Sequence, residues 1–123
     1  MSAASFDSNI LIDALNGFEA AFAELERVTE TWISRITYIE VMSGIDDAAR
    51  DRTIAFLSAF RIDELNLDIA DRAAELRKER RSLKLPDAVI LATAQVRGRI
   101  LVTRNTKDFP ARMPGIRVPY VKA

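Results

Sequence analysis

Four acidic residues in this chain, Asp7, Glu40, Asp87 and Asp108, share a setting. The first three each fall where a hydrophobic run ends and a helical stretch begins, and Asp108 comes just after another such junction. The segments, in chain order, are Phe6-Asp7-Ser8-Asn9, Ile36-Thr37-Tyr38-Ile39-Glu40, Leu85-Pro86-Asp87-Ala88 and Leu101-Val102-Thr103-Arg104-Asn105-Thr106-Lys107-Asp108-Phe109. A parallel α/β sheet gathers the carboxyl ends of its strands along one edge, and ligand sites form in the crevice just outside that edge. Acids distant in sequence can therefore meet there, and the chemistry such a cluster serves is the holding of divalent metal ions.

Each acid also has a structural reading of its own. Thr37-x-x-Glu40 has the capping-box pattern, in which the glutamate reaches back to the start of its helix. Asp87 falls in a first helical turn, where a negative charge gains about 0.3–1 kcal/mol from the helix dipole. Asn105 and Asp108 can cap a short turn. Four acids at one sheet edge are a different matter, because each pair of like charges at about 4 Å costs about 4 kcal/mol at an effective dielectric near 20. Capping does not offset that, whereas a divalent cation does. Hard Mg²⁺ or Mn²⁺ prefers carboxylate, carbonyl and water oxygens.

Composition removes most other chemistries. The 123 residues contain no cysteine and no histidine, which excludes thiol nucleophiles, disulfides, serine–histidine triads and ordinary zinc sites. Hydrophobic residues make up 49% of the chain, enough for one domain with a single core but not for two. The amino terminus has neither the basic start nor the apolar stretch of a signal peptide. Ala88 to Ala94 is too short to cross a bilayer. Together these features point to a cytoplasmic protein.

A net charge of zero conceals an asymmetry. Residues 1–71 hold five Lys/Arg and 14 Asp/Glu, while residues 72–123 hold 13 and four, so the halves differ as −9 against +9. Such a separation can set an anionic metal pocket beside a cationic surface suited to nucleic acid. It can equally reflect solvated helix faces, as for Arg77, Lys78, Arg80 and Arg81 on a helix that needs a polar side.

The elements that would position the acids alternate strand and helix. Ala4 to Phe6 reads as a first strand, followed by a helix from Ser8 to Asn16 closed by Gly17. A second helix carries Phe18, Ala21, Phe22, Leu25 and Val28 at helical spacing. Thr31 to Arg35 reads as a strand, and Thr37 opens a helix that Gly44 closes. A helix from about Asp46 to Phe60, with Ile54, Leu57 and Phe60 on its inner stripe, leads to a strand near Ile62 to Leu65. Ile69, Ala73 and Leu76 mark the next helix. Pro86 suits the first turn of another that ends at Gly98, and strands follow at Ile100 to Thr103 and, at an edge, Ile116 to Val118. Short joins between such elements imply a mainly parallel sheet covered on both faces, a three-layer α/β/α arrangement.

At the four acidic segments the chain resembles the PIN-domain ribonucleases, and among them the VapC-type toxins of toxin–antitoxin pairs. The resemblance spans residues 1–123 as one PIN domain and runs through Phe6 to Ile12, Ile36 to Gly44, Leu85 to Ala94 and Leu101 to Phe109. It implies an endoribonuclease in which Asp7, Glu40 and Asp87 ligate Mg²⁺ or Mn²⁺, Asp108 ligates a second ion or orients water, and Thr103 and Asn105 give hydrogen-bonding support. Asn105 stands where some members carry the fourth acid, and Ser8 where a threonine often follows the first. Metal-bound water would be the nucleophile, with Arg104 and Lys107 the first candidates to hold RNA phosphates. The resemblance also implies a homodimer and a VapB-type antitoxin whose C-terminal segment blocks the metals. A PIN fold that binds RNA or protein without cleaving is the competing reading. Its sign would be a missing acid, and none of the first three is missing. A haloacid-dehalogenase-type phosphatase would need an aspartate where this chain has Asn9.

Overall fold

The computed structural model describes residues 2–122. Five strands, β1 (Ala3–Phe6), β2 (Glu30–Ser34), β3 (Arg61–Asp63), β4 (Leu101–Val102) and β5 (Ile116–Arg117), form one sheet in the order β3-β2-β1-β4-β5, with every pair parallel. Six helices connect and cover it: α1 (Ser8–Leu15), α2 (Glu19–Glu26), α3 (Arg35–Ser43), α4 (Arg50–Leu57), α5 (Leu67–Glu79) and α6 (Leu85–Arg97). From β1 the chain winds outward through β2 to β3, then crosses back to β4 beside β1 and winds the other way. The strand order thus reverses between β1 and β4, where open α/β sheets place their ligands.

Strand alternation divides the core in two. Ala4, Phe6, Ile33 and Val102 join a buried cluster with Ile10, Leu11, Ala14, Ala21, Val41 and Leu57, while Leu101 joins Ile69, Ala73, Leu76, Leu83, Phe109 and the buried stretch Ala88–Ala92. Helices α1 to α4 pack in the first cluster and α5 with α6 in the second, so the sheet lies between two helical layers. Helix α6 has Pro86 in its first turn and stops at Gly98, whose φ of +68° is the left-handed cap that glycine adopts without strain.

Several boundaries differ from those read in the sequence, each for a physical reason. Ser34 ends β2 and caps α3, its hydroxyl accepting from the Ile36 amide at 3.1 Å. Arg35 therefore opens the helix rather than closing the strand, and Thr37 lies within it, fully buried with its hydroxyl unpaired among the described residues. The expected helix from Asp46 to Phe60 is a 3-10 turn at Asp47–Ala49 followed by α4, because Asp46 accepts from the Ala49 amide and starts the turn. In α2 the apolar stripe is broken, with Phe22 exposed and Glu24 buried, its carboxylate held by Arg117 at 2.6 Å and Arg27 at 3.2 Å.

Glu24 exemplifies a wider pattern. Asp13 is buried against Arg104 at 2.7 Å, Lys122 at 3.0 Å and the Tyr120 hydroxyl at 2.8 Å, and Asp63 against Arg99 at 2.7 Å and Arg97 at 3.4 Å. In all three cases an acid of the first half receives cations of the second. Part of the charge asymmetry is therefore consumed inside the fold, joining its halves. Removing one partner of such a pair strands the other. Asp63→Ala, which leaves Arg99 buried over the Trp32 ring, should lower stability by about 3 kcal/mol. Urea unfolding checks this, and a loss below about 1 kcal/mol would make the pair incidental.

Candidate functional site

The pairing of β1 with β4 sets Phe6 opposite Val102, and the Asp7 amide continues the ladder onto the Val102 carbonyl at 2.9 Å. The next residues, Asp7 and Thr103, therefore emerge side by side at the carboxyl ends of adjacent strands. Asp7 is also the N-cap of α1, with one carboxylate oxygen accepting from the Ser8 amide at 2.8 Å. Its other oxygen accepts from Thr103 Oγ1 at 2.7 Å and Asn9 Nδ2 at 3.3 Å. Asp7 is only 3% exposed.

The remaining acids join through polar relays. Ser8 Oγ donates to Glu40 Oε1 at 3.0 Å, tying the second acid to the first. Because α3 begins at Arg35, Glu40 lies in its second turn, beyond reach of a capping role. The capping-box reading of Thr37 and Glu40 thus fails, and the glutamate side chain turns to the strand edge. Thr103 Oγ1 in turn accepts from the Asn105 amide at 3.0 Å. Asn105 holds Asp108 twice, donating from Nδ2 to Oδ2 at 3.0 Å and accepting the Asp108 amide at 3.2 Å. Asp87, in the first turn of α6, lines a cleft of about 530 Å³ together with Asn105, Asp108, Lys107, Arg80, Ser82 and Lys84.

Electrostatics separate these acids from the structural ones. Burial pushes Asp13 and Glu24 up, but their arginine hydrogen bonds outweigh it and hold both carboxyls below the usual range. Asp7 has only neutral donors, and burial raises it despite the bonds from Thr103, Ser8 and Asn9. Burial also raises Glu40, with repulsion from Asp7 added. Asp87 is pushed up to about 6 by burial and then by repulsion from Asp7, Asp108 and Glu40. The four acids thus act on one another with no arginine or lysine paired to Asp7, Glu40 or Asp87 among the described residues.

Among the described residues no three acids close into a ready-made cation cage; they form an open, mutually repelling group. That donor set, all hard oxygens with an uncompensated negative charge, fits Mg²⁺ or Mn²⁺ and does not fit a soft or nitrogen-seeking metal. Arg104, expected beside phosphates, directs its guanidinium to Asp13. Lys107 borders the acidic cleft as expected. Sequence reasoning missed Asn9, which contacts Asp7 and Thr103 and accepts from the Arg104 amide at 3.1 Å. Its position in the first turn of α1, two residues after the acid, was the available signal. It missed Arg80 and Lys84 as cleft residues altogether. A further groove of about 360 Å³, lined by Leu65, Ala73, Leu85 and Val89 with no acid, offers none of this chemistry.

The shift at Asp87 has a definite sign. The folded chain keeps its proton up to about pH 6, whereas the ordinary aspartate value is 3.8. Protonation therefore favours folding, a contribution complete below pH 3.8 and lost as pH rises through 6. In EDTA, Asp87→Asn should be more stable than the parent at pH 7.5 by roughly 1–2 kcal/mol, a solvent-screened part of the 1.36 kcal/mol per pKa unit. The difference should vanish near pH 4. Urea unfolding at both pH values decides it, and a variant weaker than the parent at pH 7.5 would return Asp87 to a helix-start role.

Comparison with known proteins agrees with this geometry. A PIN-domain family model matches residues 5–113. The chain is 31% identical to the tRNA(fMet)-specific endonuclease VapC of Shigella flexneri, covering 90% of this chain and 92% of that protein, and 33% identical to ribonuclease VapC10 of Mycobacterium tuberculosis, covering 85% and 84%. Among solved structures it superposes on a chain of a toxin–antitoxin complex from Klebsiella pneumoniae with 48% identity and a TM-score of 0.89, covering 97% of this chain and 99% of that one. A DNA-bound VapBC from Salmonella typhimurium shares 26% identity at a TM-score of 0.74, covering 95% and 96%. The parallel five-stranded sheet, the acids at its point of reversal and these likenesses together establish that the chain belongs to the PIN-domain family, in its VapC group.

Proposed function

We propose that this protein is a metal-dependent endoribonuclease acting as the toxin of a toxin–antitoxin pair. The observation that carries the reading is the convergence of Asp7, Glu40, Asp87 and Asp108 at the carboxyl end of β1 and β4, with no basic side chain paired to the first three among the described residues. The naming of its VapC relatives as nucleases and the toxin–antitoxin complex from Klebsiella pneumoniae support the biological role. On the same ground we assign it an antitoxin partner of the VapB type, and from the family resemblance a homodimeric state, action on cytoplasmic RNA and a single PIN domain over residues 1–123. No helix among the described residues is long and apolar enough to cross a membrane.

When bound, Mg²⁺ or Mn²⁺ would supply an activated water and positive charge for the phosphate oxygens. Asp7, Glu40 and Asp87 provide the anionic oxygens that hold it, and Asp108 a further oxygen for a second ion or for water. Thr103 fixes the direction of the Asp7 carboxylate through the 2.7 Å bond, Ser8 fixes Glu40, and Asn105 fixes Asp108. Such outer contacts orient ligands and are typically worth roughly 10–100-fold in metal affinity or activity. Lys107 is the better-placed phosphate contact of the two basic residues on the β4 loop, since Arg104 is already bound to Asp13.

The purified protein should cleave single-stranded RNA with Mg²⁺ or Mn²⁺ and fall silent in EDTA. Asp7→Asn should abolish cleavage, and Thr103→Val should reduce it by roughly 10–100-fold with the fold retained. Cleavage that survives both EDTA and Asp7→Asn would refute the mechanism. RNA binding without cleavage under either metal would instead favour a PIN module that binds only.

A further inference from the structure

We propose that the cleft beside the acidic group is a subsite for the RNA backbone, in which Arg80 and Lys84 hold the phosphates adjoining the one cleaved. The inference rests on the ribonuclease reading and adds to it the path of the strand, along the α5–α6 loop.

The cleft is lined by both charge signs. Asp87 and Asp108 line it together with Arg80, Lys84 and Lys107, and Ser82 and Asn105 complete the lining. Elsewhere in the basic half, buried acids capture five of the cations: Arg97 and Arg99 on Asp63, Arg104 and Lys122 on Asp13, and Arg117 on Glu24. Arg72 pairs with Glu75 and Glu79, while Arg77, Lys78, Arg81 and Arg112 make no ion pair among the described residues and do not line the cleft. Arg80, Lys84 and Lys107 make no ion pair among the described residues, although two carboxylates share their cleft. Arg80 Nη2 is cut off from solvent and has no hydrogen-bond partner there.

The loop that carries Arg80 and Lys84 is held in place. Leu83 is 2% exposed and pegs the loop into the core. Its amide donates to the Arg80 carbonyl at 3.1 Å, and its own carbonyl accepts from Arg77 Nε at 3.1 Å. Arg80 and Lys84 thus flank a fixed point rather than trailing from a free loop, which reduces the ordering needed to bind. A small ligand of one charge sign would leave the opposite charges of this cleft unmet. A phosphodiester strand satisfies both signs. The phosphate at the acids would be held through a divalent cation, and its neighbours meet the guanidinium of Arg80 and the ammonium of Lys84.

Binding of a labelled single-stranded RNA, followed by fluorescence anisotropy against salt, tests this in the Asp7→Asn background with Mg²⁺ present. Arg80→Ala/Lys84→Ala should weaken binding and lower the log–log salt slope by about 1.4, at about 0.7 for each single-strand phosphate no longer neutralised. Arg50→Ala/Arg52→Ala, an equal loss of charge on α4, should leave the slope unchanged. An unchanged slope in the Arg80/Lys84 variant, or the same fall in the α4 control, overturns the subsite while leaving the nuclease reading intact. Absence of RNA binding in the Asp7→Asn protein, together with absence of cleavage by the parent, overturns the nuclease reading and the subsite with it. Thermal unfolding accompanies each variant. Should Arg80→Ala fail to fold, Lys84→Ala/Lys107→Ala repeats the measurement with two exposed residues and the same expected slope change.

Discussion

The hydrogen bond from Thr103 to Asp7 joins residues 96 apart in the chain, and it exists only because β1 and β4 lie parallel and in a fixed register. Strand side chains alternate between faces, so a slip of one residue would exchange Phe6 and Val102 for their neighbours and turn the core outward. The hydrophobic layers on both faces forbid that slip. Asp7 and Thr103 are consequently fixed by packing beneath them rather than by contacts with each other. From Asp7 the polar relays run to Glu40 through Ser8 and toward Asp108 through Thr103 and Asn105. Position at the strand ends comes first and the arrangement of the acids follows.

Six of the buried or half-buried acids in this fold divide into two kinds by what stands beside them. Asp13, Glu24 and Asp63 each receive arginine, with lysine as well at Asp13. Asp7 is buried as deeply as these, yet it has only hydroxyl and amide donors, and Glu40 and Asp87 have no cationic partner among the described residues either. A chain with 18 Lys/Arg has the means to neutralise them, and at three other places it does so. Leaving a group of carboxylates to repel one another is costly unless a cation arrives from outside. Repulsion of this kind at a point of strand reversal is what a site for a hard metal ion requires.

Much of this was legible in the sequence because periodicity and strand–helix junctions carry it. The alternating elements, Pro86 and Gly98 bounding α6, Asp87 in the first turn of that helix, and the meeting of Asp7 and Thr103 at adjacent strand ends all follow from local pattern and sheet geometry. Glu40 reached the site by a different route from the one its spacing suggested. The capping-box pattern at Thr37 is a local preference, and the better-placed hydroxyl of Ser34 overrode it by starting the helix earlier. The partners of Arg104 were hidden for another reason. Asp13 sits 91 residues away, and no local rule pairs charges over that distance. The burial of Glu24 beside the exposed Phe22 was hidden for the same reason, since the arrival of Arg117 from β5 makes burial of Glu24 tolerable.

Joint binding of a divalent cation by these carboxylates is the property on which the proposed chemistry depends. Mn²⁺ titration followed by electron paramagnetic resonance, in which the signal of free Mn²⁺ disappears on binding, measures that without reference to any substrate. The parent should bind Mn²⁺, and Asp7→Asn, Glu40→Gln and Asp87→Asn should each weaken it markedly, while Asp63→Asn, at a buried acid already paired with arginine, should not. Equal Mn²⁺ binding in the parent and the three site variants would contradict a shared metal site.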